Sequence, residues 1–281
     1  MNKVIFKSED KKIKIIDFYN KILRRWPVSY EEINVKTKYG DTNVLSCGQK
    51  NNPPLVLIHG STSNSAMWIG DIENYVKYFR VYMIDIPGEP GKSQAVRFDL
   101  ETCEPAEWLD QIIVDLKIKK FYLCGISLGG LISLNYTIRN VNKVEKLVLL
   151  CPGGIGKQKM KWIPYLLSMS FLGWYGAKKS IEKVCWGEEV HDEAIYYHQI
   201  ITKGFNPRID KFPVFSDEQL NKLRMKTFII FGKMDIFFDS EETIKRAKST
   251  IPNLKYEILE DKGHGLINKS TQIVDFLIEE A

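Results

Sequence analysis

Gly125-Ile126-Ser127-Leu128-Gly129 follows the apolar run Phe121-Tyr122-Leu123-Cys124 and opens a helix-like stretch over residues 130–139. A G-x-S-x-G segment between strand and helix makes a turn so tight that its flanking residues must be glycine, because a Cβ there would strike the strand or the helix. The turn lifts the serine hydroxyl clear of the sheet edge and places the Leu128 amide at a helix N-terminus. Ser127 raised in this way is a candidate nucleophile that needs a base. The plainer alternative is a glycine-rich turn carrying an N-cap serine, and the rest of the chain decides between the two.

The chain has four histidines, His59, His191, His198 and His264. In hydrolases built on such an elbow the partners follow in the order Ser, then Asp or Glu, then His. His59 precedes the serine and is excluded. His191 and His198 lie in a stretch of helix formers and read as helix-face residues of an inserted segment. His264 sits between glycines in Lys262-Gly263-His264-Gly265, just after the strand-like segment Lys255–Leu259, as suits a loop base. For the acid, Phe228-Ile229-Ile230-Phe231-Gly232 reads as a buried parallel strand ending at Lys233-Met234-Asp235. Carboxylates at that end of an open α/β sheet are where catalysis concentrates. Asp235 is the candidate acid, with Asp239 as the substitute.

A second buried strand, Leu55-Val56-Leu57-Ile58, leads into His59-Gly60-Ser61. The loop after such a strand supplies one oxyanion amide and the residue after the nucleophile the other, which selects Ser61 and Leu128. His59 then reads as structural, its ring bonded to loop backbone. The implied chemistry is acyl transfer to water. Ser127 attacks a carbonyl carbon, His264 takes its proton, and Asp235 orients and stabilises the imidazolium. No metal or organic cofactor is required. A histidine base implies activity that rises with pH through roughly 6–7.

His59-Gly60, Asp85-Ile86-Pro87-Gly88 with Gly91-Lys92-Ser93, the Gly125-to-Gly129 pentapeptide, Asp235 and His264 together resemble the α/β-hydrolase fold superfamily over nearly the whole chain. More narrowly, Arg25-Trp26-Pro27-Val28, Thr37-Lys38-Tyr39-Gly40 and Val214-Phe215-Ser216-Asp217-Glu218 resemble the Bacillus-type carboxylesterase NP group. That resemblance implies hydrolysis of a carboxylic ester by a Ser-Asp-His triad. One departure is that the stretch from Asp85 to Ser93 has one residue more than the commoner D-x-x-G-x-G-x-S spacing. Serine at the elbow argues against haloalkane dehalogenases and epoxide hydrolases, which carry aspartate there. Carbon–carbon bond hydrolases, lactonases, perhydrolases and iminopeptidases share the constellation, as does a non-catalytic ligand-binding protein of the same fold.

The elements that must hold these residues follow from the apolar pattern of a chain of 281 residues, 44% hydrophobic. Two alternating segments, 33–39 and 42–47, flank Gly40-Asp41 as an antiparallel hairpin. Strands at 55–58, 81–86, 121–124, 146–150, 227–231 and 256–259 alternate with helical segments, which implies parallel pairing with helices on both faces. The expected fold is therefore an α/β-hydrolase fold with a mostly parallel eight-stranded sheet. A further helix is expected before the first strand, from Ile15, Ile16, Phe18, Tyr19, Ile22 and Leu23. Residues 155–222 contain no convincing strand and many aromatics. They are expected to form a helical lid inserted after the sixth strand, dividing the core into 1–154 and 223–281. Trp68, Trp162 and Trp174 are the candidates for the walls of an apolar substrate pocket.

Composition narrows the setting. The net charge of +5 comes from 40 basic and 35 acidic residues. The lysines read as spread along the chain, which favours a solvated surface over nucleic-acid binding. No apolar stretch is long enough to span a membrane, and the N-terminus has no apolar signal core. Five cysteines without metal-type spacing read as free thiols of a reducing cytoplasm. The expected partner is a small ester, with a monomer or homodimer as the assembly.

Overall fold

A computed structural model describes residues 4–279. Its strands are β1 (Tyr30–Thr37), β2 (Gly40–Cys47), β3 (Pro54–Ile58), β4 (Arg80–Ile84), β5 (Phe121–Ile126), β6 (Val144–Leu150), β7 (Lys226–Gly232) and β8 (Leu254–Leu259). They form one sheet in the order β1-β2-β4-β3-β5-β6-β7-β8. β1 pairs antiparallel with β2, and β2 antiparallel with β4; every pairing from β4–β3 through to β7–β8 is parallel. The middle strands are unbroken apolar runs because helices cover both faces, so both rows of side chains are buried. The edge strand β8 is partly exposed and carries Lys255 and Glu257, charges that discourage edge-to-edge pairing.

The helices are α1 (Glu9–Leu23), α2 (Ile72–Tyr75), α3 (Glu104–Asp115), α4 (Leu128–Arg139), α5 (Ile163–Met169), α6 (Gly173–Val184), α7 (Asp192–Gly204), α8 (Asp217–Leu220), α9 (Ser240–Thr250) and α10 (Ser270–Ile278). A 3₁₀ turn, Ser65–Gly70, precedes α2. α4 is apolar nearly all round and buried from Leu128 to Ile138. α3 packs on α4, α2 on α10, and α9 on β8. None of the described helices is long and apolar enough to cross a membrane. The five cysteines are all free.

The first hairpin turns two residues earlier than its sequence suggests. Thr37 pairs with Gly40, so Lys38 and Tyr39 form the turn rather than Gly40-Asp41. Thr37 Oγ1 accepts from the Tyr39 amide at 3.1 Å and donates to the Gly40 carbonyl at 2.7 Å. The left-handed φ of +103° at Gly40 belongs to the exit from this turn.

Asp85 joins the loops around the sheet end, as a buried carboxylate must if it is to be tolerated. Its Oδ1 accepts from the Tyr19 hydroxyl at 3.1 Å and the Ser65 amide at 2.9 Å. Its Oδ2 accepts from Asn43 Nδ2 at 3.2 Å and the Lys92 amide at 2.9 Å.

Four helices, α5 to α8, occupy the interval between β6 and β7. α7 leans on α1 rather than on the sheet alone. Ile5, Ile15, Ile201 and Phe205 form a small separate core there, and Phe18 stacks on Tyr197 with centroids 4.8 Å apart. Glu193 of α7 pairs with both Arg25 and Lys21.

The same helix carries His198, whose ring is pushed by burial down to a pKa of about 4. Between the ordinary value near 6.5 and that value, the unfolded chain takes up a proton that the folded chain refuses. Stability contributed by the neutral ring is thus lost as pH falls through that window. Urea titrations at about pH 7 and about pH 4.5 are expected to show wild type losing on the order of 2 kcal/mol more than His198→Gln. Equal losses in the two proteins would mean that His198 titrates freely in the folded state.

Candidate active site

The chain leaves β3 for β4 on one side and returns to β5 on the other, so the sheet order reverses between β3 and β5. Open α/β sheets bind ligands in the crevice at that reversal, beyond the strand C-termini. Ser127 stands at the end of β5 and His59-Gly60-Ser61 at the end of β3, on either side of it. Ser127 has φ +53° and ψ −109°, a strained backbone for a residue with a side chain. The neighbouring glycines make the turn possible. A Cβ on Gly125 would lie 2.4 Å from the Gly129 carbonyl oxygen, and one on Gly129 would lie 2.2 Å from that of Ile58. Backbone cannot yield to such contacts, so glycine is required at both positions. The Ser127 amide donates to Leu150 at 2.9 Å, tying the turn to β6.

Asp235 follows β7 and His264 follows β8. His264 Nε2 lies 2.9 Å from Ser127 Oγ, and His264 Nδ1 lies 2.8 Å from Asp235 Oδ2. The Asp235 side chain is fully buried, and its other oxygen accepts from the Phe237 amide at 2.7 Å and the Phe238 amide at 3.1 Å. An ionised carboxylate only accepts, so Nδ1 must carry the proton and Nε2 is left bare to accept from the serine hydroxyl. Phe237 meets the imidazole edge-on, with centroids 4.8 Å apart, and Phe238 flanks it at 5.7 Å. The three side chains thus form a continuous hydrogen-bonded chain in an apolar wall.

Cys151 lies behind this chain, with ligand atoms of Cys151, Asp235 and His264 within 4.8 Å of one another. Burial, and next to it the Asp235 charge, push its thiol well above the usual range. A protonated thiol is a poor metal ligand, so the cluster suits packing better than metal binding. No metal ligand set is needed for the chemistry the other three groups can do.

His59 is excluded as a base by its own bonds. Its Nε2 accepts from the Ile86 amide at 2.9 Å, which leaves Nδ1–H to donate to the Gly60 carbonyl at 2.7 Å. Burial lowers its pKa, so the ring stays neutral and holds the loop. A Cβ on Gly60 would lie 3.5 Å from that of Ser127, so this loop runs beside the serine side chain. Leu128 is the first residue of α4, where amides have no intrahelical acceptor.

The sequence reading did not include Glu89. It lies in the stretch from Asp85 to Ser93 that has one residue too many, and it is fully enclosed. Its Oε2 accepts from the Thr62 amide at 2.7 Å and the Ser61 hydroxyl at 3.4 Å. Its Oε1 faces the buried Arg208 guanidinium at 3.8 Å. Burial raises the carboxyl pKa against the opposing pull of Thr62 and Arg208. Thr62 itself has a left-handed φ of +56°, so Glu89 holds a strained residue beside Ser61.

The three tryptophans proposed as pocket walls stand in different settings. Trp68 is enclosed in the main core within the 3₁₀ turn, because the turn packs its apolar side inward. Trp162 meets Tyr165 edge-on and lies beneath Lys161 and Lys183. Trp174 opens α6 and is 41% exposed, facing solvent instead of an enclosed pocket.

Comparison with known proteins agrees with this architecture. A family model described as the alpha/beta hydrolase fold matches residues 53–177. A carboxylesterase of Bacillus subtilis, nap, is 28% identical over 266 residues, covering 92% of this chain and 88% of its own. The crystal structure of naproxen esterase (carboxylesterase NP) from Bacillus subtilis superposes with a TM-score of 0.86 at 27% identity, over 96% of this chain and 99% of that one. That of carboxylesterase CesB (YbfK) from the same organism gives 0.85 at 25% identity, over 97% of this chain and 100% of that one. The chain is an α/β-hydrolase-fold protein that resembles the Bacillus subtilis carboxylesterases over nearly its whole length.

Proposed function

We propose that the chain is a serine hydrolase that cleaves carboxylic esters of small apolar substrates through an acyl-enzyme on Ser127. The observation that carries this reading is the hydrogen-bonded chain from Ser127 Oγ through His264 to Asp235, at 2.9 Å and 2.8 Å. Ser127 Oγ attacks the ester carbonyl carbon as His264 Nε2 takes its proton. The oxyanion is stabilised by the backbone amides of Ser61 and Leu128, and Asp235 stabilises the imidazolium. The imidazolium protonates the departing alkoxide, and the acyl group remains on the serine. His264 then removes a proton from water, which attacks the acyl carbon and releases the carboxylic acid and free Ser127.

No step draws on a metal or an organic cofactor. Residues 155–222 act as a lid on this reading, shaping the acyl pocket over the strand ends. Five free thiols favour a reducing compartment such as the cytoplasm.

Hydrolysis of p-nitrophenyl esters from acetate to laurate tests the reading, and the preferred chain length sizes the pocket. Turnover of at least one ester is expected. A folded protein that cleaves no member of the series, while acting on a carbon–carbon, lactone or peptide substrate, would replace the esterase reading with one of the related hydrolyses. Ligand binding with no turnover of any substrate would make it a binding protein.

A further inference from the structure

The loop after β3 has its peptides fixed one by one. A trans peptide points its C=O and N–H in opposite directions, so holding one aims the other. The peptide between Gly60 and Ser61 is held at its carbonyl, which accepts from His59 Nδ1–H at 2.7 Å. The next peptide is held at both ends. Its carbonyl, on Ser61, accepts from the Thr62 hydroxyl at 2.6 Å, and its N–H, on Thr62, donates to Glu89 Oε2 at 2.7 Å. The Thr62 hydroxyl moves with the loop, whereas Glu89 lies 27 residues further along the chain and does not. Thr62 sits at φ +56°, unfavourable for a β-branched residue, so without Glu89 the loop has reason to relax.

Glu89 is itself anchored. Its amide donates to the Ile86 carbonyl at 3.2 Å, and its carbonyl accepts from the Gly91 amide at 2.8 Å. Its Oε1 makes no hydrogen bond among the described residues and faces the Arg208 guanidinium at 3.8 Å. A carboxylate only 1% exposed needs such a charge beside it. Arg208 belongs to the inserted segment and is fixed in turn, facing Asp210 and donating to the Phe98 carbonyl at 2.9 Å. Pro90 repeats the pattern at the far end of the loop. Its carbonyl accepts from Asn64 Nδ2 at 2.8 Å, and the same NH₂ donates to the Tyr197 hydroxyl of α7. The loop is thus pinned at Thr62 and Asn64, and each pin is backed by a residue of the inserted segment. Enclosed and committed to Thr62, the Glu89 carboxylate is not placed to exchange protons with a substrate.

We propose that Glu89 is a positioning residue for ester cleavage. Through the Thr62 amide it keeps the Ser61 amide aimed at the oxyanion, and Arg208 of the inserted segment holds its charge in place. This rests on the acyl-enzyme reading, in which Ser61 donates to the oxyanion.

Removing one charge of a buried pair strands the other, so the test changes both together. Glu89→Met with Arg208→Met leaves the Thr62 amide without an acceptor; Glu89→Gln with Arg208→Met supplies a carbonyl oxygen in its place. For each, kcat and KM are measured on a short-chain p-nitrophenyl ester, and affinity for a trifluoromethyl ketone is read by ¹⁹F NMR. In the ketone adduct Ser127 Oγ adds to the carbonyl carbon, its proton passes to His264 Nε2, and the ketone oxygen becomes the oxyanion. The Met–Met variant is expected to lose at least about tenfold in kcat, with KM within about twofold. Its ketone affinity should fall by a similar factor, short of the roughly 10²–10³ that outright loss of an oxyanion donor costs. The Gln–Met variant should regain most of both losses. A purely structural Glu89 would lower the thermal midpoint but leave kcat and ketone affinity of the folded protein unchanged, which would overturn the proposal. Equal losses in the two variants would also overturn it. Glu89→Asp keeps the charge opposite Arg208 and draws the acceptor back by one methylene, and it decides the matter if the double variants do not fold. It must show the same split, a fall in kcat with KM held; an unchanged kcat would overturn the proposal. Wild type that forms the ketone adduct but cleaves no ester would remove the esterase reading and leave positioning to be judged from ketone affinity. Ester turnover that the Met–Met variant retains in full would remove positioning and leave the esterase reading.

Discussion

Ser127→Ala is expected to lower kcat for ester hydrolysis by at least about 10⁴, with little change in stability. Ser127 Oγ is the hydroxyl held by His264 Nε2, at 2.9 Å, and its removal leaves water as the only nucleophile. Alanine accepts the φ of +53° no worse than serine does, since both carry a Cβ. The turn, the glycines around it and the amides of Ser61 and Leu128 are untouched. Residual activity should reflect those amides and substrate positioning alone. Parallel measurement of kcat on a p-nitrophenyl ester and of the thermal unfolding midpoint separates loss of chemistry from loss of fold. A variant that keeps more than about a tenth of wild-type kcat would mean that Ser127 is not the nucleophile.

Asp235→Asn is expected to cost nearly as much, by a different route. Two backbone amides, of Phe237 and Phe238, both point at Asp235 Oδ1 and require an acceptor there. An asparagine must give its carbonyl oxygen to them and turn its NH₂ toward His264 Nδ1. The imidazole would then accept at Nδ1 and carry its proton on Nε2, facing Ser127 with no lone pair to take a proton. The same wrong tautomer costs a serine protease about 10⁴ in kcat, and a similar fall with KM little changed is expected here. Asp235→Ala leaves the tautomer free to choose and should retain more activity than Asp235→Asn if it folds. The opposite ranking would show that charge, not tautomer, is what Asp235 contributes. Kinetics of both variants on one ester decide the point.

The sheet was legible because its middle strands, Leu55-Val56-Leu57-Ile58 above all, are apolar on both faces and bounded by polar turns. Ser127, Asp235 and His264 were findable because each sits at a strand end, where order along the chain and local glycines restrict the choice. The first hairpin turn was misplaced because Gly40 is a strong turn signal, whereas Lys38 and Tyr39 carry none; the turn is closed by the Thr37 hydroxyl. Glu89 and Arg208 were missed for a different reason. They are far apart in sequence, and no local pattern reports that one buried charge meets another. The extra residue between Asp85 and Ser93 was the available signal, visible as a departure in spacing but silent about its partner. The aromatics of the inserted segment resisted assignment because one composition serves two ends. Tyr197 packs inward on Phe18, while Phe171 stands in water.

The most direct test of Ser127 as the acyl-accepting nucleophile is covalent labelling with a p-nitrophenyl alkylphosphonate, followed by mass spectrometry of the intact protein and its peptides. One phosphonyl group per chain, on the peptide containing Ser127, with activity lost in step with labelling, is the expected result. Absence of the adduct from Ser127→Ala completes it. A label on another residue, or ester hydrolysis that persists once Ser127 is fully modified, would contradict the assignment.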